Sequence, residues 1–202
     1  HRGDAFDLEL SIDETTTPTL PSHHLFIAAE LKRQGVILSS LAPRFIGDFQ
    51  KGIDYIGDLA EFERQFATHS KIARSYGKYK ISVHSGSDKF SAFPIVGRHT
   101  NHRLHLKTAG TSWLEGMRAI SLADPALYRE MHKAANAGLA HALTLYHITA
   151  DFSKVPDIDS LSDEQLPSLY EDQMIEARQL IHITYGHLLT HPELSPRFFQ
   201  SI

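Results

Sequence analysis

The chain, 202 residues long, has no cysteine. That absence excludes disulfides and thiolate metal sites, so any metal must be held by histidine and carboxylate side chains. It also makes the cytoplasm the expected compartment. No apolar run approaches the length needed to span a bilayer, and the opening HRGDAFD is no signal peptide. Positive charge is not in excess either. A net charge of −4 with neutral histidines offers no general attraction to nucleic acid or to an anionic membrane. No G-x-S-x-G, P-loop or paired-glycine fingerprint is present, which gives little support to serine hydrolase or nucleotide-binding chemistry.

What is present is an ordinary globular composition, 42% hydrophobic and 22% charged, with an unusual 14 histidines. A chain of this size can bury a good core, and no linker or repeat divides it, so residues 1–202 read as one α/β domain. The clearest pattern is at the start. Phe6, Leu8, Leu10 and Ile12 alternate with Asp7, Glu9, Ser11 and Asp13, which predicts a strand. Val36–Leu41 reads as a second strand, covered on both faces at first, which empties into Ala42-Pro43-Arg44-Phe45. Tyr79–Phe90, YKISVHSGSDKF, opens as a third strand with Ile81 and Val83 on one face, and ends in a polar turn with His84 at its threshold. Arg103–Lys107 predicts a fourth strand and Leu143–Ile148, carrying His147, a fifth.

Helical signals alternate with these strands. Pro21-Ser22 starts a helix that stops at Gly35, with Ser22 as the expected cap. Asp58 and Glu61 read as a capping pair for a helix closed by Gly77. Further helices are expected from about Ser112, from Asp124-Pro125 to Ala142, and from Ser162 to about Leu189. The tail HPELSPRFFQSI is expected to pack or fray, Trp113 to be a packing residue, and the remaining histidines to be mostly solvated. Strand–helix alternation argues for parallel strands joined by crossovers. Five strands are too few for a closed eight-stranded barrel, which typically needs about 250 residues. The expectation is therefore the C-terminal part of a TIM-type (β/α) barrel, whose unpaired edge strands predict self-association.

Parity on such a sheet puts Asp13, His84, His105 and Lys107 on the face away from the helices. A divalent metal of the Zn, Mn, Ni or Co class, bound by a carboxylate and two or three imidazoles, is the simplest chemistry that uses these strand ends together. Taken singly, a strand-end histidine is more often a hydrogen-bonded structural residue, and Asp13 and Glu14 can equally cap the threonine-rich loop after them. The HSGSDK turn has three readings: an anion cradle built from Ser85, Ser87 and Lys89, a polyol site oriented by Asp88, or an ordinary polar loop. Arg44 and Lys107 are candidates for a substrate carboxylate, against the alternative of an ion pair, and Thr108 opens the loop after the fourth strand.

The runs FDLELSIDETTTPT, VILSSLAPRF, YKISVHSGSDKF, HLKTAGTSWLEGMR and LYHITADFSKVP, in this order over most of the chain, resemble the tagaturonate epimerase family. The resemblance implies a metal-dependent barrel isomerase that interconverts D-tagaturonate and D-fructuronate. It also implies a longer protein of which this is part. Carried over to this sequence, it makes Asp13 or Glu14, His84 and His147 the metal shell. The epimerised carbon lies one position beyond the carbon that the ketone activates, so retro-aldol cleavage and re-addition is one route. Asp13 or Glu14 is then the base and Lys107 an acid or electrostatic partner. The alternatives are another metal-dependent sugar isomerase or aldolase on a barrel, or an inactive fragment or sugar-binding module.

Overall fold

Alternation at the chain's start makes a strand, although shorter than expected: β1 is Glu9–Ile12. The computed structural model describes residues 6–201, and the opening HRGDA and Ile202 lie outside them. Two compact units are distinguished. One comprises residues up to 49 together with 55–108, the other residues 50–54 together with 109–202. All the strands among the described residues belong to the first, which we call the sheet unit; the second is the helical unit.

The sheet unit runs β1, α1 (Pro21–Arg33), β2 (Ser40–Pro43), α2 (Leu59–Tyr76), β3 (Lys80–Val83), α3 (Phe93–Thr100), β4 (Leu104–Leu106). Its sheet has the order β1-β2-β3-β4 and every pairing is parallel. Parity is as the pattern demands. Leu10, Ile12, Leu41, Ile81, Val83, Leu104 and Leu106 enter a core shared with Ala28, Phe62, Phe66 and Ile95. The opposite face carries Glu9, Ser40, Ser82 and His105, with Glu9 in register with Ser40 and Ser82 with His105. Four parallel strands, not five, make this α/β sheet.

Caps explain where the helices fall. At α2, the Asp58 carboxylate accepts from the backbone N–H of Ala60 (2.8 Å) and Glu61 (3.2 Å). Glu61 does not reach back to the cap as a capping pair would; it binds Arg64 and Gln65 instead. At α1 proline takes the first helical position and Leu20, not Ser22, precedes it.

The second strand starts four residues later than expected, and the end of α1 is the reason. Gly35 takes a left-handed φ of +72°. Its N–H bonds Lys32 O and that of Val36 bonds Leu31 O, which is the Schellman pattern. Val36 is thereby spent on closing the helix, and Ile37 stands 85% exposed. The apolar run Val36–Leu38 precedes the strand instead of forming it.

The helical unit contains α4 (Gly110–Ala123), α5 (Pro125–Ala142), α6 (Ile175–Ile183), α7 (Tyr185–Leu189) and α8 (Leu194–Ser201). Leu114, Met117, Leu127, Tyr128, Met131, Leu166 and Leu180 form its core. The expected fifth strand is absent. Residues 143–146 continue the end of α5 as turns, with Leu145 N–H on Ala142 O and Tyr146 N–H on the same carbonyl. The expected long last helix is broken. Pro167, with no N–H to give, sits in a 3-10 stretch, Asp163–Tyr170, and α6 ends where the Thr184 hydroxyl bonds back to Leu180 O. The tail packs: Phe198 is buried, and its ring lies 5.2 Å from that of Trp113. No helix among the described residues is long and apolar enough to cross a membrane.

Candidate metal centre

Parallel pairing lines up alternate side chains on the face of the sheet away from the core, so groups far apart in sequence meet there. Glu9 on β1 is the hub. Its Oε2 accepts from Ser40 Oγ on β2 at 2.5 Å and lies 2.9 Å from His105 Nδ1 on β4. Its Oε1 lies 2.7 Å from Nε2 of His84, the residue after β3. His105 Nδ1 is also 2.8 Å from Ser82 Oγ. On the far side of the His84 ring, Nδ1 is 3.0 Å from Asp13 Oδ2. Asp13 is itself hydrogen-bonded by the Ser11 hydroxyl.

Burial alone would raise the Glu9 carboxyl. Hydrogen bonds from Ser40, His105, His84 and Ser82 outweigh it and hold the group down at about 2. Glu9 is therefore a carboxylate at neutral pH. The site is graded: the His84 side chain is 11% exposed and that of His105 48%. Glu9, His84 and His105 can each offer one ligand atom, all within 4.8 Å of one another. One carboxylate and two imidazoles, open on one side, fit a divalent metal of the nitrogen- and oxygen-binding kind.

The residues expected from sequence fall into two groups. Asp13 and Glu14 follow β1, Arg44 follows β2, Ser85–Lys89 follow β3, and Lys107 and Thr108 follow β4, all in the sheet unit. Asp13 meets His84 directly. Glu14, Lys107 and Thr108 are exposed. Arg44 is half-buried and donates from Nη1 to Thr15 O of the acidic loop. The loop after β3 is tightly held. Gly86 N–H bonds Lys107 O at 3.1 Å, and a Cβ at Gly86 would come within 2.4 Å of the Leu106 side chain. Ser85 and Asp88 take left-handed φ of +51° and +61°, uncommon for residues with a side chain. Ser87, Asp88 and Lys89 are buried, with Lys89 Nζ donating to Ser87 O at 2.9 Å.

The strand that was to carry His147 does not exist, and the residue stands exposed in the helical unit. Glu9 and His105 are the groups that stand beside His84 as possible ligands within the sheet unit. Glu9 was missed although the strand's own alternation puts it on the same face as Asp13. Glu9 is not a strand-end residue: it opens β1, two repeats of the pleat before Asp13.

A family model described as tagaturonate epimerase matches residues 1–201. The chain belongs to the tagaturonate epimerase family. A tagaturonate/fructuronate epimerase of Thermotoga maritima is 50% identical over 197 residues, covering 98% of this chain and 40% of that protein. Crystal structures of the fructuronate-tagaturonate epimerase of Cohnella laeviribosi, one native and one with glycerol, are 50% identical with a TM-score of 0.92. They are matched over 98% of this chain and 41% of theirs. This tagaturonate epimerase family chain thus spans about two fifths of the length of those relatives.

Proposed function

We propose that this chain is the C-terminal part of a longer (β/α) barrel isomerase that interconverts D-tagaturonate and D-fructuronate. Half-identity to a tagaturonate/fructuronate epimerase along nearly the whole chain carries the reading. In it, Glu9, His84 and His105 hold a divalent metal, and their donor chemistry supports that assignment. Such a metal would supply Lewis-acid stabilisation of charge developing on substrate oxygens.

The chain's own residues do the rest. Glu14, exposed just past β1, takes the proton from the hydroxyl on the carbon to be inverted. As that oxygen becomes an aldehyde, the bond to the neighbouring carbon breaks and its electron pair passes to the ketone side as an enediolate. The aldehyde fragment turns, and re-addition on its other face reforms the bond while Glu14 returns the proton. Lys107, just past β4, offsets negative charge as it forms. Arg44, Ser85, Ser87, Asp88, Lys89 and Thr108, from three strand ends, hold the keto-uronate. The left-handed residues of the β3 loop favour a functional role for that loop. The cysteine-free composition favours the cytoplasm, and the outer edges of β1 and β4 favour self-association.

The test is metal analysis with an assay of tagaturonate–fructuronate exchange, run on this chain and on the longer protein. Exchange in the longer protein, with metal retained by both, is the expected outcome. A well-folded longer protein without exchange would sink the proposal.

A further inference from the structure

Asp13 and His84 are 71 positions apart in sequence, yet the Asp13 carboxylate faces the ring nitrogen pointing away from Glu9. A neutral imidazole has one N–H and one lone pair, and whichever nitrogen is hydrogen-bonded by an acceptor keeps the proton. Asp13 Oδ2, 3.0 Å from Nδ1, is such an acceptor, and Glu9 Oε1, 2.7 Å from Nε2, is another; once a cation takes the Glu9 side, Asp13 keeps the proton on Nδ1 and leaves the Nε2 lone pair to the cation. The Ser11 hydroxyl donates to the other oxygen, Oδ1, and ties the carboxylate to its own strand. Both oxygens of Asp13 are engaged.

We infer that Asp13 is a positioning residue, fixing the tautomer and the ring orientation in which His84 presents Nε2 to a metal shared with Glu9 and His105. This rests on the metal reading of those three residues. It takes Asp13 out of the base role and leaves that role to Glu14. His105 differs, because the neutral Ser82 hydroxyl meets Nδ1, the same nitrogen that points to Glu9, and not the far side of the ring. His84 is therefore the better-fixed of the two rings.

The experiment compares wild type, Asp13→Asn and Asp13→Ala of this chain by two readouts. One is Zn(II) affinity by competition with a chromophoric chelator. The other is the His84 ring tautomer from long-range proton–nitrogen correlation on histidine-labelled protein, with and without Zn(II). Asp13→Ala is expected to weaken Zn(II) binding by about 10- to 100-fold and to release the Nδ1-protonated form. Asp13→Asn keeps an acceptor oxygen at the same place and is expected to restore most of both, whether or not the alanine variant folds well. Zn(II) binding indifferent to both substitutions, with the ring signature unchanged, overturns the positioning role and leaves the metal reading standing. A wild-type chain that takes up no Zn(II) while Asp13 still sets the His84 tautomer sinks the metal reading instead.

Discussion

The sheet unit and the helical unit both bury apolar cores, but they use polar side chains differently. In the sheet unit, carboxylates and imidazoles from β1, β3 and β4 and a hydroxyl from β2 gather on one face, where Glu9 touches groups 31, 75 and 96 residues away. In the helical unit the buried polar groups stitch backbone and core together. Arg178 donates from Nε to Gly52 O at 2.9 Å and from Nη1 to Tyr170 O, and the Tyr170 hydroxyl donates to that of Tyr128. Burial pushes both tyrosine hydroxyls up, which keeps them neutral donors and acceptors. Parallel strands concentrate chemistry on the face that their core leaves open. Helices packed side by side spread theirs along their lengths, for structure.

The sharpest way to break this comparison is a crossed pair of substitutions. Glu9→Ala removes the hub of the cluster, so its loss of Zn(II) affinity should exceed the roughly 100-fold ceiling for outer partners such as Asp13. The fluorescence transition of Trp113, the single tryptophan, reads the helical unit and should stay where it was. Leu127→Ala should do the reverse. Leu127 is fully buried in the first turn of α5, and its truncation should cost about 2–5 kcal/mol in urea unfolding with Zn(II) affinity unchanged. If Leu127→Ala abolished Zn(II) binding in the folded chain, the division of labour would be wrong.

How much of this was legible beforehand follows the same divide. The sheet unit announced itself, because period-two alternation states both the strand and its buried face. Leu10, Ile12, Ile81 and Val83 pack where their parity says. The α2 cap at Asp58 was legible for a local reason, since one carboxylate and two backbone N–H groups define it. His84 and Asp13 stood out as strand-end residues. His105 did too, but Glu9 did not, because its meeting with them is set by register between strands, which no local spacing encodes. The errors came from apolar runs. Val36–Leu38 and Leu143–Leu145 have strand-like composition, but helix termination had already claimed the N–H groups of Val36 and of residues 143–145. Burial of histidines was also illegible. His24 looked solvated in the first turn of a helix, yet it is fully buried, its Nδ1 2.9 Å from that of His69 and its Nε2 2.7 Å from the Tyr79 hydroxyl.

Those histidines sharpen the comparison through pH. Burial, with the neighbouring His69 adding to it, takes His24 down to about 3. Burial likewise takes His69 down to about 4, against a smaller opposing contribution from the Thr19 backbone, and in the helical unit it takes His132 to about 4. All three are neutral in the folded chain, while the unfolded chain takes up protons from about pH 6.5 downwards. Their stabilising contribution is complete above that pH and is lost as pH falls towards the folded values. The loss is about 1.4 kcal/mol per pH unit for each histidine. Urea midpoints between about pH 6.5 and pH 5, above most carboxylate titration, are the measurement. Replacing His24 and His69 together with glutamine should flatten the slope by two shares, and His132→Gln by one. Equal flattening would show that the sheet-unit pair does not titrate as two buried neutral rings.

The smallest effect tests whether the sheet unit's helices depend on local caps at all. Asp58 holds two of the orphan N–H groups of α2, whereas α1 begins after Leu20, whose side chain can accept nothing. Asp58→Ala should therefore cost about 1 kcal/mol, the usual worth of a side-chain cap. The reciprocal change, Leu20→Ser, offers α1 an acceptor it lacks. Its gain should be smaller than the Asp58 loss, because Pro21 already presets the first turn and needs no partner for its missing N–H. Thermal melts of the two variants beside the parent decide it. A loss at Asp58 with no gain at Leu20 would mean that α1 is held by its core face, through Ala28, and α2 by its terminus as well as its phenylalanines.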